Sequence, residues 1–489
     1  MMQRYGMFKW SFLILLLVAF SCRRAEIVNE GANEVNLFVW RAMNTFYFWE
    51  AEIPELDDNL RTDPDQLASL LRSYDQPELL FEDLLFEDDR FSFIVDDYDV
   101  LENSFQGTSL SSGLQLGLFE ITSMSEEIFG YVQYVVPNSP ASEAGFDRGD
   151  LFTIVNGEQL TKSNFRSFLF QGNTAAIQLA TLVDGSFQQS TTVLEVTPRV
   201  VTENPILLAE TLNDQGRSIG YLVYNQFVNS SEQYTELNQV FAQFKQDNIT
   251  ELVLDLRYNP GGSVETAIVL ASLIYGDGDP SQVVSTSVYN ADLNEAFAQE
   301  NVDRNNYFFD QIPESSEALN SLDISRVFIL TSGNTASASE LVIVGLLPYM
   351  DVTLIGTTTV GKNDISATFY DSENLGRTLP RNPNHKYAVQ PIIGQTANSE
   401  GFSDYIDGLD PDIEIDESAF LENLPALGDP NEPLLAEALA AIALNARRAS
   451  PEERSFTPYL EGQLIDPKLQ TMRVDLPENM KELSKRQLQ

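Results

Sequence analysis

Between about residues 216 and 445, short apolar runs alternate with helical stretches, and this alternation constrains the chain more than any other feature. Glu251-Leu-Val-Leu-Asp-Leu256, Arg326-Val-Phe-Ile-Leu330 and Val352-Thr-Leu-Ile-Gly356 read as strands. Each ends in a loop, and the first two loops lead into helical stretches. Strands and helices in that order imply an α/β layered core. Open α/β sheets place their sites beyond the carboxyl ends of their strands, so the three loops are where chemistry is to be sought.

The rest of the chain divides by pattern. At 489 residues it is too long for one ordinary core, and a hydrophobic content of 43% supplies enough apolar side chains for several. Residues 23–103 are acidic and helical, with Val35, Phe38, Ala42 and Phe46 forming one apolar stripe. They are expected to form a helical cap without chemistry of its own. Residues 104–198 switch to short strands, including Tyr131-Val-Gln-Tyr-Val-Val136, Ile177-Gln-Leu-Ala-Thr-Leu-Val183 and Thr192-Val-Leu-Glu-Val-Thr197. Residues 199–447 carry the α/β core. Residues 448–489 are charged and aperiodic, and are expected to be loosely attached or partly disordered.

The start of the chain reads as an export signal. Arg4 and Lys9 precede the apolar run Phe12-Leu-Ile-Leu-Leu-Leu-Val-Ala-Phe20, which is too short to favour a membrane-spanning helix. Ser21-Cys22 follows, and Cys22 is the only cysteine. The placement resembles a bacterial lipoprotein cleavage site, although Phe20 stands where a small residue is usual. Acylation of Cys22, membrane attachment through that anchor and a periplasmic location are the expectations.

Single copies of two residue types exclude whole classes of chemistry. One cysteine rules out intrachain disulfides and multi-thiolate zinc sites, and one histidine, His385, rules out catalytic zinc held by two or three imidazoles. His385 lies in a polar Asn-Pro-Asn-His-Lys stretch and is read as a loop residue. A hydrolase built from this sequence therefore needs a general base other than imidazole. With 29 basic residues against 73 acidic ones, the formal charge of −44 repels phosphate backbones and argues against nucleic acid as a partner.

Three loops meet the needs of acyl transfer. Thr331-Ser-Gly-Asn-Thr-Ala-Ser337-Ala-Ser339-Glu340 follows one strand, and its small residues let a serine sit on an exposed strand-to-helix turn. The apolar stretch Leu341–Leu347 then continues as a buried helix, whose unpaired N–H groups and dipole suit a developing oxyanion. Thr357-Thr-Thr-Val-Gly-Lys362-Asn follows a second strand. A lysine among apolar and hydroxyl neighbours loses solvation, which moves its pKa toward the range of a usable base. Leu254-Asp-Leu-Arg-Tyr-Asn-Pro-Gly261-Gly262 follows the third, and its glycines let backbone N–H groups approach a reacting carbonyl.

Two family resemblances are carried by these residues. Ser139-Pro-Ala…Ala144-Gly…Gly149-Asp…Val155-Asn-Gly157 resembles the central stretch of PDZ domains, and Gly113-Leu114-Gln115-Leu116-Gly117 resembles their carboxylate-binding loop. Such a domain accepts a C-terminal peptide as an added strand. The Ser-Ala-Ser-Glu block, the Gly-Lys pair and Asp-Leu-Arg-x-Asn-Pro-Gly-Gly resemble the carboxyl-terminal processing (tail-specific) Ser–Lys peptidases of S41 type. Lys362 follows Ser337 by 25 positions, that family's spacing, which selects Ser337 over Ser339 as nucleophile.

The resemblance implies a ClpP/crotonase-like α/β peptidase core, an inserted or preceding PDZ-like β domain and a small helical N-terminal domain. It also implies a Ser337 nucleophile, a Lys362 base and an oxyanion hole formed by N–H groups of Ala338 and of Gly261 or Gly262. Gly408-Leu-Asp-Pro-Asp412 matches a structural stretch near the end of the core. The implied partners are proteins or peptides with free C-termini, and neither metal nor organic cofactor is implied. The family often has a glutamine four residues after the lysine; here Ser366 stands there and would orient Lys362 with a shorter reach. A catalytically degenerate binding or scaffold lipoprotein on the same fold, and a hydrolase of non-peptide acyl groups, are the alternatives.

Overall fold

The computed structural model describes residues 34–276, 279–444, 456, 458–459 and 471–476. Cys22 and the export signal lie outside the described residues.

The α/β core is a six-stranded sheet. Strand Ile206–Asp214 pairs antiparallel with Arg217–Tyr224. Glu251–Asp255, Arg326–Thr331, Asp351–Gly356 and Ile413–Glu414 follow in that spatial order, all parallel. Successive side chains of a strand face opposite ways, and both faces of this sheet are covered. On one face Leu222, Leu254 and Ile329 pack with helices Ser231–Gln246, Val264–Ile274 and Ala338–Leu346. On the other, Tyr221, Val253 and Phe328 pack with helix Pro433–Leu444. Burial on both sides is why these strands read as unbroken apolar runs.

The N-terminal segment is not an independent core. Helix 34–46 buries Phe38, Trp40, Met43 and Phe46 in the same apolar cluster as Leu254 and Val342. Phe46 stacks on Phe369 with ring centroids 4.2 Å apart. Strand Phe93–Val95 adds to Ala388–Gln390, which tethers this segment to the core.

Residues between Leu114 and Val196 form a separate antiparallel sheet with its own apolar clusters. The spatial order is Leu114–Glu120, Ile128–Val135, Leu151–Val155, Ala175–Val183, Ser186–Val196. The chain enters and leaves this unit through strands Thr108–Ser111 and Arg199–Thr202, which pair antiparallel. Leu114–Glu120 is an edge strand.

A second six-stranded sheet departs from expectation. Residues Met472–Arg473, assigned by sequence to a loose tail, lie between Gly262–Ser263 and Asp364–Ser366. Thr471 and Met472 are buried, Met472 within the main apolar cluster. The tail's charge and lack of period concealed an apolar anchor too short to show as a pattern.

Among the described residues no helix is long and apolar enough to cross a membrane.

Candidate active site

Ser337 sits immediately before helix Ala338–Leu346 with φ 63° and ψ −115°. For a residue with a Cβ this is a sparsely populated conformation, held only where neighbours over-determine it. The sequence places the serine on an exposed turn, and the structure corrects this: Ser337 is 0% exposed. Among the described residues its buried hydroxyl has no hydrogen-bond partner. The loop of Gly261 closes over it, since a Cβ added at Gly261 would stand 2.7 Å from the Ser337 Cβ.

Lys362 is also 0% exposed. Burial lowers its pKa to about 8, against the opposing pull of the Asp364, Asp89 and Glu340 carboxylates. Its Nζ lies 4.3 Å from the centre of the Phe91 ring. Arg90 Nη2 donates to the Gly361 carbonyl at 2.6 Å. The N-terminal cap, expected to lack chemistry, therefore walls the amine through Asp89, Arg90 and Phe91. Amphipathic spacing in the sequence shows that a segment is buried but not what it is buried against.

Glu340 joins the two loops. Its Oε2 accepts the backbone N–H of Ser337 at 2.7 Å and that of Lys362 at 2.9 Å. Its Oε1 accepts the Gly361 N–H at 2.7 Å and the Thr359 hydroxyl at 2.5 Å. The Thr359 hydroxyl in turn accepts the Leu409 N–H at 2.8 Å, so the Gly408–Asp412 stretch backs the lysine loop. Burial pushes the Glu340 carboxyl upward, and these donors oppose the shift. Sequence reasoning quoted Glu340 without giving it a role. The available signal was the Ser337-x-x-Glu340 spacing of a helix-capping pair.

The glycine loop is fixed by close approach. A Cβ at Gly262 would stand 2.3 Å from the Phe227 carbonyl oxygen, so only glycine fits. Of the two glycines proposed for the oxyanion hole, Gly261 turns its N–H onto the Asn259 side chain at 2.9 Å. That arrangement withdraws Gly261 as a donor to a reacting carbonyl. The Gly262 N–H donates to the Thr471 carbonyl at 2.6 Å. Ala338, the third residue of the predicted hole, is buried in the first turn of the helix, beside Ser337.

Ser366 is buried, and its hydroxyl accepts from Gln390 Nε2 at 3.0 Å. Gln390 Oε1 accepts from Thr368 at 2.7 Å. A glutamine thus does reach this corner, from the strand Ala388–Gln390, far from the lysine in sequence. His385 lies outside regular structure, with Nε2 3.0 Å from Asp371, in agreement with the loop reading. Among the described residues no group of three or more His, Cys, Asp or Glu side chains is placed to hold a metal ion.

The predicted peptide-binding residues lie apart from the serine. Gly113 has φ 83°, and Leu114–Gly117 begin the edge strand of the β unit. A cleft of about 120 Å³ runs from Leu114, Leu116 and Gly117 to Tyr258, Pro260 and Asn334 of the core.

A strained, buried serine at a helix N-terminus, tied to the loop of a buried lysine above a mostly parallel sheet, defines a serine-type hydrolase. Its kind follows from comparison. The profile of peptidase family S41 matches residues 218–415, and that of the peptidase S41 N-terminal domain matches residues 34–93. The chain belongs to peptidase family S41 and is a serine-type peptidase. A carboxyl-terminal-processing protease of Synechocystis sp. is 25% identical over 337 residues, covering 66% of this chain and 71% of that one. A protein of the same name from Picosynechococcus sp. is 25% identical over 379 residues, covering 76% and 82%. A solved S41 structure from Bacteroides fragilis superposes with a TM-score of 0.66 at 27% identity, covering 83% of this chain and 97% of that one.

Proposed function

We propose that the chain is an endopeptidase in which Ser337 is the nucleophile and Lys362 the general base. The observation that carries this is the shared anchoring of both residues on Glu340, combined with a lysine whose burial lowers its pKa to about 8. The neutral amine takes the Ser337 proton as the serine oxygen attacks a peptide carbonyl. The resulting ammonium then protonates the leaving amine, and water hydrolyses the acyl-enzyme. The N–H groups of Gly262 and Ala338 receive the developing oxyanion. Ser366, held by Gln390, is assigned to orienting the lysine.

The cyanobacterial relatives are named carboxyl-terminal-processing proteases, and on that likeness cleavage at or near the C-termini of exported proteins is the proposed activity. The β unit acts as a PDZ-like receptor, its edge strand at Gly113–Gly117 taking the substrate's C-terminal segment as an added strand. Export with an acyl anchor at Cys22, facing the periplasm, is proposed from the leader alone, and mass spectrometry of the mature chain tests it.

Cleavage of an unstructured protein with an apolar C-terminus tests the mechanism. Wild type should cut it, and Ser337→Ala and Lys362→Ala, both folded, should not. Cleavage that survives Ser337→Ala would sink the assignment.

A further inference from the structure

We infer that the slot between Gly262–Ser263 and Asp364–Ser366 is a strand-accepting peptide site, and that residues 471–474 of this chain's own tail occupy it as a tethered substrate analogue. The inference rests on the proposed Ser–Lys reading for its catalytic consequence, though not for the binding itself.

Among the described residues the tail meets both the β unit and the glycine loop, each where a substrate would. Pro458 forms an antiparallel bridge with Phe119 on the edge strand of the β unit, and the Tyr459 N–H donates to the Leu118 carbonyl at 2.8 Å. The Tyr459 ring stands edge-on to Phe165 at 5.7 Å. A single bridge of this kind is the contact from which strand addition to a sheet edge is built, with an aromatic side chain seated beside it.

Further along, Met472 and Arg473 pair with Gly262 and Ser263, and Arg473 pairs with Ser366, parallel on both sides. The Val474 N–H donates to the Ser366 carbonyl at 3.0 Å. The Thr471 carbonyl accepts from Gly262, the donor assigned to the oxyanion hole. Its oxygen and the Ser337 Cβ lie 3.0 and 2.7 Å from the same point, the position a Gly261 Cβ would take. A backbone carbonyl therefore stands in the hole, beside the nucleophile.

The arrangement accounts for a feature the catalytic reading leaves open. Ser337 and Lys362 are both fully buried, yet a peptidase must admit a chain to them. The tail strand lies over that approach. Its chemistry also describes the ligand: an extended peptide read through its backbone, with an unbranched apolar side chain after the carbonyl in the hole. Met472 fills that position and is 0% exposed. A tether presents such a segment at an effective concentration on the order of millimolar, enough to exclude free peptides that bind more weakly.

The test uses the full chain carrying Ser337→Ala, so that nothing is cut, and a dye-labelled peptide of residues 471–476 followed by fluorescence anisotropy. Adding Met472→Asp puts a carboxylate where the methionine is buried and should tighten binding of the free peptide about tenfold or more. Val474→Pro removes one main-chain bond of the strand at a side chain only partly buried against the core, and should tighten it about fivefold; it serves if Met472→Asp unfolds in a thermal melt. In chains with Ser337 intact, the same tail substitutions should raise the cleavage rate by similar factors. Equal binding to the parent and to folded tail variants, or no binding to any, would overturn the inference. Tighter binding without cleavage by any chain would leave the peptide slot standing and sink the Ser–Lys reading instead.

Discussion

The backbone N–H groups of Ser337 and Lys362 donate to the same carboxylate oxygen of Glu340, at 2.7 and 2.9 Å. The proposed nucleophile and base come from loops after different strands, and this carboxylate ties the two loops together. All four groups it meets are donors, so an amide in its place would aim N–H at N–H. Glu340→Gln should lower kcat about a hundredfold with little change in KM, as expected for misplaced reacting groups. Steady-state kinetics alongside a thermal melt would check this. A folded Glu340→Gln enzyme with unchanged kcat would remove the positioning role.

The pH dependence follows from Lys362. With Lys362 as the proposed base, only the neutral amine would accept the serine proton, so activity should rise with pH to a plateau above about 8 and be about a hundredfold lower at pH 6 than at pH 9. Stability carries the same sign. The buried amine titrates near 8 and the unfolded one near 10.5. Between these values the unfolded chain binds more protons, and stability should increase with pH across that window. A kcat/KM profile from pH 5.5 to 10 decides the point, and a flat one would exclude lysine as base.

Phe91 belongs to the N-terminal segment, yet its ring lies 4.3 Å from the Lys362 Nζ. Phe91→Ala should admit water to the amine, relieve the burial that depresses its pKa and move the rise in activity to higher pH. The ring's attraction for the ammonium acts the other way, but burial is the largest cause of the shift. The expected result is a loss of activity at pH 7 that is largely recovered at pH 10. Equal loss at both would mean that Phe91 only packs.

What the sequence revealed and concealed divides along a physical line. The core strands were legible because burial on both faces leaves continuous apolar runs, and Ser337 and Lys362 became candidates because their loops follow such strands and match the spacing of the resembled family. Asp89, Arg90 and Phe91 were illegible because their contacts span some 270 positions of chain, as between Arg90 and Gly361. Gln390 was missed for a similar reason, since it reaches Ser366 across 24 positions from a strand of another sheet. The Met472–Arg473 strand escaped notice because two paired residues leave no period to detect.

The β unit is fastened to the core by Arg148, and this joint yields the last prediction. Arg148 donates to the Tyr258 hydroxyl at 2.5 Å and to Glu417 at 2.6 Å, and Arg257 of the glycine loop donates to the same Glu417 oxygen at 2.8 Å. Burial alone would lift the Glu417 carboxyl, but the two guanidiniums more than reverse it and hold it below the usual carboxylate range. Arg148→Ala strips one cation from a buried group and should cost about 3–5 kcal/mol, which denaturant unfolding would measure. Because the folded carboxyl is depressed, its stabilisation is present above the ordinary carboxylate range and fades as pH falls through the folded value. Wild type should therefore lose stability in strong acid more steeply than Arg148→Ala, in which Glu417 has lost part of its depression. Parallel acid titrations for the two chains would show that the joint does not depend on this ion pair.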